Sequence, residues 1–100
     1  MGRTLRYHPL FDCDVREAAG WYDRRSPGLG DTFVELVRQA TADAIADPDR
    51  FPRSVSGCCY ARVARFPYVV LFETTDQEIQ LIGVLHTARS MEKWRERLSD

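Results

Sequence analysis

The sequence predicts an α+β domain, an antiparallel sheet packed against an antiparallel helical hairpin, with its elements in the order β-α-α-β-β-β-α. Three observations carry that prediction. Three short runs rich in β-branched and aromatic residues follow one another between Tyr60 and Leu85, with turn residues between them. Two stretches of helical apolar spacing precede them, broken by Ser26-Pro-Gly-Leu-Gly30. No repeat, low-complexity segment or linker divides the 100 residues, so residues 1–100 read as a single domain.

Arg3 to His8 alternates as a first strand and is ended by His8-Pro9. Asp14-Val-Arg-Glu17 has the form of an N-terminal capping box, and Val15, Ala18, Ala19 and Tyr22 recur at helical spacing, which predicts a helix from Val15 to Arg25. Pro27 and two glycines then force a reversal. A second helix opens at Gly30 or Asp31, keeps Phe33, Leu36, Val37, Ala40, Ala44 and Ile45 on one face, and stops before Pro48. Arg50 to Gly57 is a loop. The strands Tyr60–Arg65, Tyr68–Phe72 and Ile79–Leu85 form an antiparallel meander, turning at Phe66-Pro67 and at Thr74–Gln77. The middle strand is apolar on both faces, while Ile79, Leu81 and Leu85 point to one side. Ser90 caps a last helix containing Met91, Trp94 and Leu98.

Composition excludes several classes of protein. Hydrophobic residues at 44% and charged residues at 29% are ordinary for a globular domain, and no apolar run approaches the roughly 18 residues of a membrane span. Nothing at the N-terminus has the form of a signal peptide. Three cysteines, two of them the adjacent Cys58-Cys59, imply no disulfide framework and fit a reducing cytoplasm. They do not make a metal centre either, since adjacent cysteines seldom reach one tetrahedral ion. Pro27-Gly-Leu-Gly30 follows a helix and lacks a Lys-Ser/Thr ending, so it is no phosphate loop. No cofactor and no small-molecule substrate is implied.

Charge is unevenly placed. Residues 1–49 hold six arginines against nine acids, and residues 50–100 hold eight basic residues against six acids. Arg50, Arg53, Arg62 and Arg65 fall in a stretch to Phe72 without an acid, a local positive potential suited to an anionic partner. The meander carries Arg62 and Arg65 in and His86 and Arg89 out, and these four are the candidate site. Histidine is the side chain whose reference pKa lies near neutrality, which suits His86 to proton transfer; the alternative is an imidazole bonded to backbone. The arginines are suited to clamping a phosphate, or else they snorkel from a half-buried face. On strand parity Tyr60 and Arg62 share a face. Trp21 and Tyr22 read as core and hairpin packing, with a stacking surface as the alternative for Trp21. Trp94 anchors the last helix.

Ala18-Ala-Gly-Trp-Tyr22, Pro27-Gly-Leu-Gly30 with Phe33, Phe51-Pro52, Arg65-Phe-Pro-Tyr68, and His86 with Arg89 and Trp94 together resemble the RelE/ParE family of toxins from bacterial toxin–antitoxin modules. The resemblance runs from about Tyr7 to Arg97, in order and spacing. It implies a compact sheet backed by a helical hairpin, and a cognate antitoxin as partner. One branch of the family resembles ribosome-dependent messenger-RNA endoribonucleases, the other inhibitors of DNA gyrase. The ribonuclease branch would use His86 with Arg62, Arg65 and Arg89, but it also implies lysines ahead of the second strand and a tyrosine or histidine in the tail. Arg53-Ser-Val-Ser-Gly57 has no lysine, and nothing after Trp94 is tyrosine or histidine. The resemblance therefore leans toward the gyrase branch, with Arg62, Arg65, Tyr60, Trp21 and Arg53 as the residues expected to meet a partner.

Overall fold

The computed structural model describes residues 2–53, 57–88 and 91–99, the side chains of Met91, Glu92 and Ser99 excepted. Its elements are β1 (Thr4–Tyr7), α1 (Phe11–Arg25), α2 (Leu29–Ala46), a 3-10 turn (Pro48–Arg50), β2 (Cys59–Arg62), β3 (Tyr68–Thr74), β4 (Glu78–His86) and α3 (Met91–Ser99). The predicted order and the α+β class are those observed.

α1 begins four residues ahead of Val15, and the predicted capping box is absent. The chain enters the helix through His8, whose Nδ1 accepts the Leu10 N–H at 3.0 Å and whose carbonyl accepts the Phe11 N–H at 3.0 Å. Asp14 thus lies inside the helix and turns to the sheet. Asp12 and Asp14 in the first turn and Arg24 and Arg25 in the last suit the helix dipole. Gly28, at φ 90°, makes the reversal that a side chain would resist. Gly30 then donates its N–H to Asp23 Oδ1 at 2.7 Å. A Cβ on Gly30 would meet the Ala19 carbonyl and the Asp23 carboxylate, so the two helices approach this closely only over glycine. α2 buries Phe33, Val37, Ala40 and Ala44, the stripe predicted for it.

The sheet order is β1-β4-β3-β2. β2, β3 and β4 are the expected antiparallel meander, but β1 pairs parallel to β4, Thr4 opposite Glu78 and Tyr7 opposite Leu81. The sheet is therefore mixed. Alternation in a four-residue run fixes the faces of its side chains and leaves the direction of its partner open.

Two cores lie on the two faces of the sheet. The hairpin packs α1 over β4 and α2 over β2 and β3, enclosing Phe33, Val70, Phe72, Leu81 and their neighbours. α3 covers the other face, where Cys58, Val69, Leu71, Ile82, Leu85 and Trp94 meet. Every residue from Val69 to Phe72 is buried, as expected of a strand covered on both sides. The expectation that Ile79, Leu81 and Leu85 share one side does not hold. Leu71 pairs with Gly83 and Phe72 with Leu81, so Ile82 is an extra residue that shifts the phase and sends Leu85 to the α3 face.

Candidate functional site

Past Leu81 the strand β4 outruns β1, and side chains close the start of the edge so left. The Asp14 carboxylate accepts the Val84 N–H at 3.0 Å. It also takes a bidentate pair from Arg97, at 2.6 and 2.9 Å, while Arg97 donates to the Ile82 carbonyl at 3.2 Å. Both side chains are about seven-eighths buried. Gly83 is the floor of this bridge, because a Cβ there would meet Arg97 and Asp14. One ion pair thereby ties the first helix to the last across the sheet edge.

Beyond this bridge lies a groove of about 490 Å³, lined by Glu17, Ala18, Trp21 and Tyr22 of α1, by Tyr68, and by β4 through His86. His86 sits opposite Tyr68, packs edge-on against its ring at 5.1 Å, and accepts the Ala88 N–H on Nδ1 at 3.0 Å. With Nδ1 so used, neutral His86 carries its proton on Nε2. The acids Asp14 and Glu17 line the groove, and no described arginine or lysine does.

The predicted cations lie elsewhere. Tyr60 and Arg62 do share a face, that of α3: Tyr60 packs beside Trp94 with ring centroids 6.3 Å apart, and Arg62 is exposed. His86 instead shares the hairpin face with Tyr68 and Val84. Residues 62 and 86 therefore point to opposite faces, and a strand's period of two is the reason. Arg65 is exposed in the turn between β2 and β3, where its φ of 68° makes the reversal expected at Phe66-Pro67. Phe66 folds from this turn onto Tyr22 and Phe33, at 4.8 and 5.1 Å. Arg89 lies outside the described residues, as do Ser54, Val55 and the capping residue Ser90. Among the described residues the proposed His–Arg cluster is not assembled.

What does assemble is a cationic strip along the β2 edge. Arg53 bridges to Cys59 as an isolated ladder pair and donates to the Gly57 carbonyl at 3.0 Å. Arg62 follows at the far end of β2 and Arg65 just past it. Because β2 is the last strand of the sheet, this edge faces outward.

Trp21 corrects the packing reading. It is 43% exposed, and the Arg25 guanidinium lies 3.6 Å from its ring centroid. Tyr22 is the residue that packs inward, against Phe33, Phe66 and Tyr68. Burial raises the Tyr22 hydroxyl above its ordinary pKa and keeps it neutral. It also raises the Cys59 thiol, with Arg53 acting the other way. Cys58 belongs to the α3-side core and Cys59 to the hairpin-side core, so the adjacent pair does not converge on a common ion. Trp94 anchors α3 as predicted, 8% exposed. No helix among the described residues is long and apolar enough to cross a membrane.

A mixed four-stranded sheet with a helical hairpin on one face and a short helix on the other defines a small α+β domain. A family model described as the ParE toxin of type II toxin–antitoxin systems, parDE, matches residues 5–91, and the chain belongs to that family. Solved structures agree on the fold: a chain of the chromosomal ParDE toxin–antitoxin system from P. aeruginosa superposes with a TM-score of 0.73 at 16% identity, covering 84% of this chain and 95% of that one. No curated protein sequence matches the chain significantly.

Proposed function

We propose that the protein disables DNA gyrase by binding it, without hydrolytic chemistry, and that a cognate antitoxin holds it inactive. The observation that carries this reading is the separation of His86 from Arg62 by the thickness of the sheet. Cleavage of RNA by its own 2′-hydroxyl needs a proton carrier and cations on one phosphate. The imidazole here lines a groove with Asp14 and Glu17 and with no described arginine or lysine. A binding toxin needs only a presented surface, and the family it belongs to supplies gyrase as the target class. Such a target would place its action in the cytoplasm.

Purified toxin is expected to inhibit supercoiling by gyrase in a dose-dependent way, with activity returning when the antitoxin is added. Undiminished supercoiling at toxin excess, with cleavage of messenger RNA on translating ribosomes, would instead establish the ribonuclease reading. For the antitoxin, the β2 edge with Arg53, Arg62 and Arg65 suits an acidic extended segment: the Arg53 bridge and the Tyr60 N–H bond to Pro52 occupy its first half, the end at Arg62 is left for backbone pairing, and the arginines offer charge.

A further inference from the structure

β4 is nine residues long and β1 only four, and their pairing ends with Tyr7 opposite Leu81. From Ile82 to His86 the β1 side of β4 has no strand neighbour among the described residues. Arg97 and Asp14 satisfy the first two groups there, the Ile82 carbonyl and the Val84 N–H. The Thr87 N–H bonds to Pro67 on the β3 side, so alternation turns the Val84 carbonyl and the His86 N–H toward the open side. The groove between α1 and β4 runs along this unfilled length.

Its chemistry selects a cation. Asp14 is matched by Arg97, whereas among the described residues the exposed Glu17 takes only the weak thiol donor of Cys13 at 3.7 Å. One helical turn on, Trp21 already carries a guanidinium, that of Arg25, in an exposed contact open to exchange.

We propose that this groove docks an extended segment of a partner polypeptide that carries an arginine. Its backbone pairs with the Val84 carbonyl and the His86 N–H, continuing the sheet where β1 stops. Its guanidinium lies between the Glu17 carboxylate and the Trp21 ring. The surface is opposite in sign to the β2 edge, and it does not depend on gyrase being the target.

The test uses two synthetic nonapeptides of alternating threonine and valine, identical except for arginine or glutamate at the centre, titrated into the isotope-labelled full chain. The arginine peptide is expected to slow exchange of the His86 amide, shift the Trp21 indole resonance, and bind about tenfold more tightly than the glutamate peptide. Glu17→Gln, an exposed change that leaves the fold intact, should abolish that preference. Glu73→Gln, on exposed β3 surface, should leave it unchanged. Equal affinities, no binding of either peptide, protection at Arg62 in place of His86, or a preference that survives Glu17→Gln would each overturn the proposal.

Discussion

The two faces of the sheet are covered very differently. On one, helices of 15 and 18 residues close over a large aromatic core with Phe33 at its centre. On the other, a single nine-residue helix sits on five buried side chains, held by Trp94, Leu98 and the Asp14–Arg97 pair. The first face is therefore where folding stability resides, and the second is where it is marginal. Arg62, exposed beside the lightly covered face, sits where partner binding disturbs the least packing.

The comparison breaks most visibly at Phe33, which is fully buried and touches Tyr22, Phe66 and Tyr68. Phe33→Ala should cost about 3–5 kcal/mol in denaturant unfolding, a large share of the stability of a domain this size. A cost below about 2 kcal/mol would mean that the hairpin face is not the main store of stability. Next comes the tie between the faces. Asp14→Ala takes the carboxylate from the buried Arg97 and the acceptor from the Val84 N–H, and should cost about 3 kcal/mol. Adding Arg97→Met should recover part of that loss, because it removes a buried charge that has lost its carboxylate.

A smaller effect is set by pH. Tyr22 and Cys59 both belong to the hairpin side, and burial raises both above their ordinary values of 10.0 and 9.0. Each is neutral in both states below its ordinary value, so folding is indifferent to it there. As pH rises past about 9, the unfolded chain loses the proton first, and stability falls. A chemical-denaturation midpoint that stayed flat from pH 8 to pH 11 would contradict this.

Trp94 sharpens the contrast from the other side. Its Nε1 is buried without a hydrogen-bond partner among the described residues, so the indole fills space at the expense of a desolvated donor. Trp94→Phe is expected to stay within about 1 kcal/mol of the parent, since it removes the orphaned N–H along with some apolar area, whereas Trp94→Ala should cost about 3 kcal/mol or more. Equal losses for the two substitutions would show that the indole nitrogen has a partner after all.

Much of this architecture was legible in the residues. The buried run Val69–Phe72, the glycine-proline break between the helices and the α2 stripe all carry local signals that tertiary packing reinforces. What escaped was non-local. A pattern of Asp followed three residues later by Glu is the same whether it caps a helix or, as with Asp14, spans to an arginine 83 residues away. The bulge at Ile82 is one extra residue, invisible to periodicity, yet it decides the face of Leu85. Arg62 and His86 do not converge, for a related reason. Arg62 and His86 are drawn together by topology on adjacent hairpins, but parity, which the register alone settles, puts them on opposite faces. Trp21 lies one residue from the core position Tyr22, a step of about 100° around the helix, enough to carry a side chain from core to solvent.

The smallest effect on stability is the most informative about function. Arg62 is exposed, at the end of an edge strand, with no described ion pair, and Arg62→Ala should change stability by less than about 0.5 kcal/mol. If the β2 edge receives an acidic antitoxin segment, the same change should weaken antitoxin binding, and Arg62→Glu should weaken it further, with the loss shrinking as salt rises because the interaction is screened. Supercoiling inhibition then tells whether the target uses the same edge. A variant that escapes the antitoxin yet still inhibits gyrase would place the two partners on different surfaces, while one that loses both would make the β2 edge common ground, so that neutralisation is simple occlusion. Loss of stability in parallel with loss of binding would instead return Arg62 to the role of a packing residue, whose aliphatic stem extends the thin cover over the α3 face.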